Sequence, residues 1–128
     1  MRAMVIDDSR AMRMILKRIV AKLNFEAIEA GDGQEAVDLL ATMDQVPELA
    51  LIDWNMPNMN GLEFVTKVRS DPRLREMTLV MVTTESEQGQ IVRALAAGAH
   101  EYVIKPFTEG AMIEKLALLG LVPTGANQ

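Results

Sequence analysis

The chain reads as an α/β domain built on a mostly parallel sheet with helices on both faces. Five short apolar runs bounded by turn residues, at 3–6, 26–29, 49–52, 79–82 and 102–104, have the length and composition of strands. Between them, apolar residues recur at helical spacing. Strands joined through helices must run parallel, with right-handed crossovers that cover the sheet on both sides.

Each element follows from local chemistry. After the first strand, Met12, Ile15, Leu16, Ile19, Val20 and Leu23 fall at i, i+3, i+4, i+7, i+8 and i+11, the stripe of an amphipathic helix. Asn24 tolerates the left-handed conformation that closes it. Asp32 and Gly33 mark the turn into a second helix over 34–43. A third helix starts at Asn60 and Gly61 and stops before Pro72, because the residue preceding proline disfavours helical geometry. The fourth spans 87–97 and ends at Gly98, and the fifth opens with Thr108 as its N-cap. Residues 1–121 are thus expected to form one domain, with "VPTGANQ" at 122–128 a flexible tail or the stub of a linker.

Composition narrows the function. With 128 residues, 49% of them hydrophobic and 24% charged, the chain suits one globular core. No run approaches the roughly 20 apolar residues of a membrane span. The N-terminus "MRAMVIDD" lacks the apolar region of a signal peptide, so a cytoplasmic location is expected. The absence of cysteine excludes disulfides, thiolate catalysis and cysteine-based zinc sites. His100, the only histidine, is expected to be a loop or strand-edge residue rather than a phosphate carrier or metal ligand. A net charge of −5 argues against nucleic-acid binding, which needs clustered Lys and Arg, and suits divalent cations or basic partner surfaces. The ten methionines are expected to fill gaps in the core.

The ends of the strands carry the chemistry. Ligands of open parallel sheets bind at the carboxyl ends of the strands, where strand order reverses. Here the first strand runs into Asp7 and Asp8, the third into Asp53, the fourth into Thr83, and the fifth into Lys105 and Pro106. Taken singly these residues have ordinary readings: a helix cap before Ser9, a turn completed by Asn55 and Pro57, a solvated lysine. Together they place three carboxylates, a hydroxyl and an ammonium on one sheet edge. Two unit charges about 4 Å apart cost on the order of 4 kcal/mol at an effective dielectric of about 20, so such a cluster calls for a cation. Oxygen donors with open positions suit Mg²⁺.

Four segments, "VIDDSRAMR" at 5–13, "DWNMPNMNGLEF" at 53–64, "MVTTE" at 81–85 and "YVIKPFT" at 102–108, carry a resemblance to the response-regulator receiver domains, most closely their stand-alone chemotaxis members. It extends to about residue 119. It implies a flavodoxin-like fold with strand order 2-1-3-4-5. Asp53 resembles the phosphoacceptor that takes a phosphoryl group from a histidine kinase. Asp8 and Asp53 would ligate Mg²⁺, with Asp7 acting through a water and Asn55 through its backbone carbonyl. Lys105 and Thr83 would contact phosphoryl oxygens. The Lys105–Pro106 bond is expected to be cis. Thr83 and Tyr102 are similar to the switch residues that reshape the face of helix four, strand five and helix five, where an output protein, of the flagellar motor switch type in chemotaxis, would bind. Asn55, Thr84 and Glu85 occupy positions that tune phosphoryl lifetime, and Asn55 and Glu85 imply a short one. Thr84 is bulkier than the alanine common there. Trp54 should report metal and phosphate by fluorescence. A phosphatase is a further expected partner, and the only catalysis implied is of the chain's own phosphorylation and dephosphorylation.

Several alternatives fit less well. Haloacid dehalogenase-like phosphatases need a second Asp two residues after the nucleophile, where this chain has Asn55. An FMN carrier needs a Ser/Thr/Gly-rich phosphate loop, where Asp7, Asp8, Ser9 and Arg10 stand. A scaffold pseudo-receiver would not need the complete set of acids, Thr83 and Lys105. A receiver excised from a longer regulator would share every feature named.

Overall fold

Why the apolar runs become strands is visible in their side-chain alternation. In a computed structural model, which describes residues 1–121, Met4 and Ile6 of β1 (Arg2–Ile6) face one hydrophobic layer while Ala3 and Val5 face the other. The tail expected at 122–128 lies outside the described residues. The same two-residue period runs through β3 (Leu49–Ile52) and β4 (Thr78–Thr83), whose apolar side chains are buried on both faces as in a parallel sheet. The remaining strands are β2 (Glu26–Ala30) and β5 (Glu101–Ile104). All five are parallel, in the order β2-β1-β3-β4-β5.

The helices are α1 (Arg10–Lys22), α2 (Gly33–Thr42), α3 (Gly61–Ser70), α4 (Gln88–Ala97) and α5 (Glu109–Leu118). One layer packs α1 and α5 on the sheet through Leu16, Ile19, Val20, Met112 and Leu116. The other packs α2, α3 and α4 through Ala36, Leu40, Phe64, Val65, Val68 and Ala94. The predicted strands and helices all form, with ends displaced by a residue or two. α2 begins at Gly33 because Asp32 is its cap, accepting from the Glu35 N–H at 2.8 Å. Asn60 and Glu63 form a reciprocal capping box on α3, and Thr108 caps α5. A 3₁₀ turn at Pro72–Leu74 was not expected; Asp71 nucleates it by accepting from the Arg73 N–H at 2.9 Å. No described helix is long and apolar enough to cross a membrane.

His100 lies just before β5, at the end of the strand remote from Lys105. Its Nδ1 accepts the Leu79 N–H at 3.1 Å and sits 3.1 Å from Arg69 Nη2. Burial and the neighbouring Arg69 push the imidazole pKa down, favouring the neutral ring that this contact requires. Arg69 also donates to the carbonyls of Gly98, Arg75 and Met77, joining α3 to the ends of the neighbouring loops.

Gly61 sets how closely α3 approaches the end of β3. A Cβ there would lie 2.3 Å from the Asp53 carbonyl oxygen, and the Gly61 N–H donates to the Trp54 carbonyl at 2.9 Å. Gly110, near the start of α5, has no atom within 4 Å of its would-be Cβ. Urea unfolding should therefore show Gly61→Ala destabilised by about 2–3 kcal/mol through overpacking. Gly110→Ala should be neutral or more stable by up to about 1 kcal/mol. Equal midpoints for the two variants would contradict this packing.

Candidate functional site

The parallel strands end together, and their first residues past the ladder converge. Asp7 and Asp8 follow β1, Asp53 follows β3, Thr83 closes β4 and Lys105 follows β5. The Asp53 N–H continues the ladder to the Ile6 carbonyl at 2.9 Å, and the Asp7 N–H reaches the Ala30 carbonyl at 3.1 Å. Backbone hydrogen bonds thus hold both acids one residue beyond the sheet, before the chain turns away.

Burial there is severe for polar and charged groups: Asp7 is 1% exposed, Asp53 8% and Thr83 0%. Lys105 Nζ donates to Asp7 Oδ2 at 2.7 Å and stands 3.8 Å from Asp53 Oδ1. The other Asp7 oxygen accepts the Ser9 N–H at 2.8 Å. Asp53 Oδ1 also accepts the Trp54 N–H at 2.9 Å, so neither contact engages Oδ2. Burial raises the Asp53 pKa above the ordinary carboxylate value, and the Asp7 charge adds to the rise; the Thr83 hydroxyl, Lys105 and the Trp54 N–H oppose it.

One carboxylate oxygen from each of Asp7, Asp8 and Asp53 can be chosen so that all lie within 4.8 Å of one another. Asp8 is exposed where the other two are buried. This hard, all-oxygen donor set with a solvent-facing side fits Mg²⁺. Asp7, both of whose oxygens already have partners, is the least available of the three.

The residues expected to tune lifetime and switching line the same edge. Asn55 Nδ2 donates to Glu85 Oε1 at 3.3 Å, bridging the loops after β3 and β4. The Glu85 N–H donates to Thr83 Oγ1 at 3.3 Å, and Thr84 is exposed. Tyr102 is turned inward, 7% exposed, its hydroxyl donating to the Glu85 carbonyl at 2.8 Å. Burial raises its pKa, with Glu85 and Asp53 adding to the effect. The Lys105–Pro106 peptide bond is cis. Trp54 packs into the core layer of α2, α3 and α4.

Three supporting contacts had no sequence expectation. Arg13 Nη1 donates to the Asp7 carbonyl at 2.6 Å. Asn58, at φ 67°, donates through Nδ2 to Asp32 Oδ2 at 2.8 Å, tying the β3–α3 loop to the cap of α2. The Ser9 N–H bond to Asp7 accompanies Ser9's capping of α1, where its side chain accepts the Met12 N–H at 3.2 Å. For Arg13 the available signal was its place on the second turn of α1, within reach of the turn it follows.

A doubly wound sheet whose switch-point edge gathers three carboxylates, a buried hydroxyl and a lysine defines the receiver class, and the chain belongs to the response regulator receiver domain family, whose model matches residues 3–117. Several curated relatives are named as CheY chemotaxis proteins. A Chemotaxis protein CheY homolog of Campylobacter jejuni is 44% identical over 117 residues, 91% of this chain and 89% of that protein. Chemotaxis protein CheY1 of Helicobacter pylori is 43% identical over 121 residues, covering 93% and 96% respectively. Among solved structures, the chemotaxis response regulator CheY4 of Vibrio cholerae superposes with a TM-score of 0.84 at 27% identity, covering 92% of this chain and 97% of that one.

The raised Asp53 pKa fixes a sign for stability. An acid that binds its proton more tightly when folded contributes stability below its unfolded pKa and loses it as pH rises through the folded value. With divalent cations chelated at pH 7, Asp53→Asn should unfold at higher urea than the native chain. That advantage should shrink as pH falls through the raised folded pKa of Asp53 toward the ordinary Asp value, and change no further below it. A lower midpoint for Asp53→Asn at pH 7 would contradict the electrostatics described.

Proposed function

We propose that the protein is a phosphorylation-activated response regulator of a chemotaxis-type two-component system, in which Asp53 accepts a phosphoryl group from the phosphohistidine of a histidine kinase. The observation that carries this reading is the buried Asp53 carboxylate beside Lys105 and the Asp7–Asp8 pair, at the end of a rigid central strand.

A carboxylate oxygen of Asp53 attacks phosphorus in line, the P–O bond forms as the histidine P–N bond breaks, and the imidazole leaves. Such transfer depends mainly on positioning and on neutralising the equatorial oxygens. Lys105, held by Asp7 within 4 Å of Asp53, supplies a fixed positive charge to one phosphoryl oxygen. Thr83, fully buried at the end of β4, donates its hydroxyl to another. Asp8 and Asp53 would hold Mg²⁺ with the Asn55 carbonyl, and Asp7 through a water. When bound, the ion neutralises phosphoryl charge.

Hydrolysis of the aspartyl phosphate by water would end the signal. Asn55 and Glu85 face each other over this edge and set the lifetime together, while the exposed Thr84 governs access. Their position supports a protein that catalyses only its own phosphorylation and dephosphorylation, with a phosphatase as an additional partner.

The phosphoryl group adds about −1.5 to −2 charge. Thr83 moving to meet it would alter the Glu85 backbone to which both Thr83 and Tyr102 are bonded. The proposed switch therefore links Thr83 to the inward Tyr102 through the β4–α4 loop. Val92 and Leu95 of α4, Ile104 of β5 and Leu118 of α5 are exposed apolar residues on the elements that would receive an output protein, of the flagellar motor switch type. This reading suits a cytoplasmic protein, with no nucleic acid or membrane expected among its partners.

With acetyl phosphate and MgCl₂, intact-mass measurement should show one phosphoryl group on the native chain and none on Asp53→Asn. A native chain that stays unmodified would overturn the reading. Asn55→Ala and Glu85→Ala should each change the decay rate several-fold. Unchanged decay in both would remove these residues from the hydrolytic step.

A further inference from the structure

We propose that Arg13 is a positioning residue for the Asp7–Asp8 pair, anchored by Glu29 and setting the affinity of the site for Mg²⁺; this rests on the metal-assisted reading above. Arg13 Nη1 donates to the Asp7 carbonyl at 2.6 Å, while its Nε donates to Glu29 Oε1 at 3.0 Å. Glu29, near the end of β2, is braced in turn by Lys17, whose Nζ donates to Glu29 Oε2 at 2.8 Å.

The contact matters because of which peptide unit it fixes. The Asp7 carbonyl belongs to the bond that leads into Asp8, so its direction sets the path of the chain at Asp8. The other polar groups of Asp7 are already tied: its N–H to Ala30 and its carboxylate to Ser9 and Lys105. Arg13 completes the set from α1. The exposed Asp8 can then meet buried Asp53 at a fixed separation, though Asp8 lies on a turn. A guanidinium suits this role because its planar fork serves a carboxylate and a carbonyl at once, which a single ammonium does not reproduce.

Position and charge make opposite predictions. If Arg13 acted only as a cation near three acids, its removal would strengthen Mg²⁺ binding. If it holds the turn, removal weakens binding, as loss of an outer-shell partner does, by about tenfold or more.

The test is isothermal titration of the full chain with MgCl₂, without phosphodonor, at a temperature where urea unfolding shows each variant folded. Arg13→Met and Arg13→Lys should each bind about tenfold more weakly than the native chain. Glu29→Gln should be weakened by less. Lys22→Met, which removes another α1 cation that pairs with Glu109, should bind as the native chain does. Arg13→Met binding as tightly as the native chain, or more tightly, overturns the inference, as does native affinity in Arg13→Lys. Should Arg13→Met fail to fold, Arg13→Lys decides, and native affinity in it overturns the inference. A native chain that binds no Mg²⁺ overturns the reading of the site and this inference with it; native binding with unchanged variants overturns the inference alone.

Discussion

The ion pair between Lys105 and Asp7 is the contact on which the site depends. It joins the end of β5 to the end of β1, and Lys105 also lies within 4 Å of the Asp53 carboxylate between them. Gathering acids at the edge of an apolar sheet is unfavourable twice over, since each charge loses water and each repels the others. One half-buried ammonium relieves part of this. The remaining imbalance leaves a donor set that could hold a divalent cation, as the proposed function requires.

The surrounding architecture serves to keep that imbalance from relaxing. β3 is buried along its whole length, so Asp53 cannot withdraw without breaking the ladder bond to Ile6 or the packing of Leu49, Leu51 and Ile52. Gly61 lets α3 press against the Asp53 carbonyl from below, where any side chain would collide. Two core layers, each anchored by fully buried aliphatic and aromatic side chains worth about 1.5–3 kcal/mol apiece, supply the stability that the acids subtract. Rigidity in the core and electrostatic tension at the edge are therefore parts of one arrangement. The proposed switch lies where the two meet, with Thr83 and Tyr102 both hydrogen-bonded to the Glu85 backbone.

Much of this was legible in the sequence because periodicity and strand-end chemistry are local signals. The runs ending in Asp7, Asp53, Thr83 and Lys105 fixed both the sheet and the composition of its edge, and Asp32, Asn60 and Thr108 announced helix starts, whereas the Ser9 cap of α1 was not foreseen. The strand order and the residue roles came from resemblance to a family, since apolar patterning alone does not order parallel strands. What escaped were contacts between a side chain and a distant backbone carbonyl. Arg13 to Asp7, Arg69 to Gly98 and Arg73 to Leu40 all have this form. Carbonyl acceptors exist at every residue, so no residue type marks them in advance. His100 belongs with them: its bond to the Leu79 N–H is set by the register of β4 and β5, which becomes visible only in the folded sheet.

Everything proposed for Asp53 requires that the neighbouring carboxylate cluster hold a cation. Trp54, whose backbone N–H donates to Asp53 Oδ1 and whose side chain packs into the core layer of α2, α3 and α4, is expected to report on it. Its emission should be followed during Mg²⁺ titration of the native chain and of Asp8→Asn. A saturable change is expected in the native chain and a much weaker response in the variant. Indistinguishable responses from the two proteins, or no response in the native chain, would contradict a cation site there.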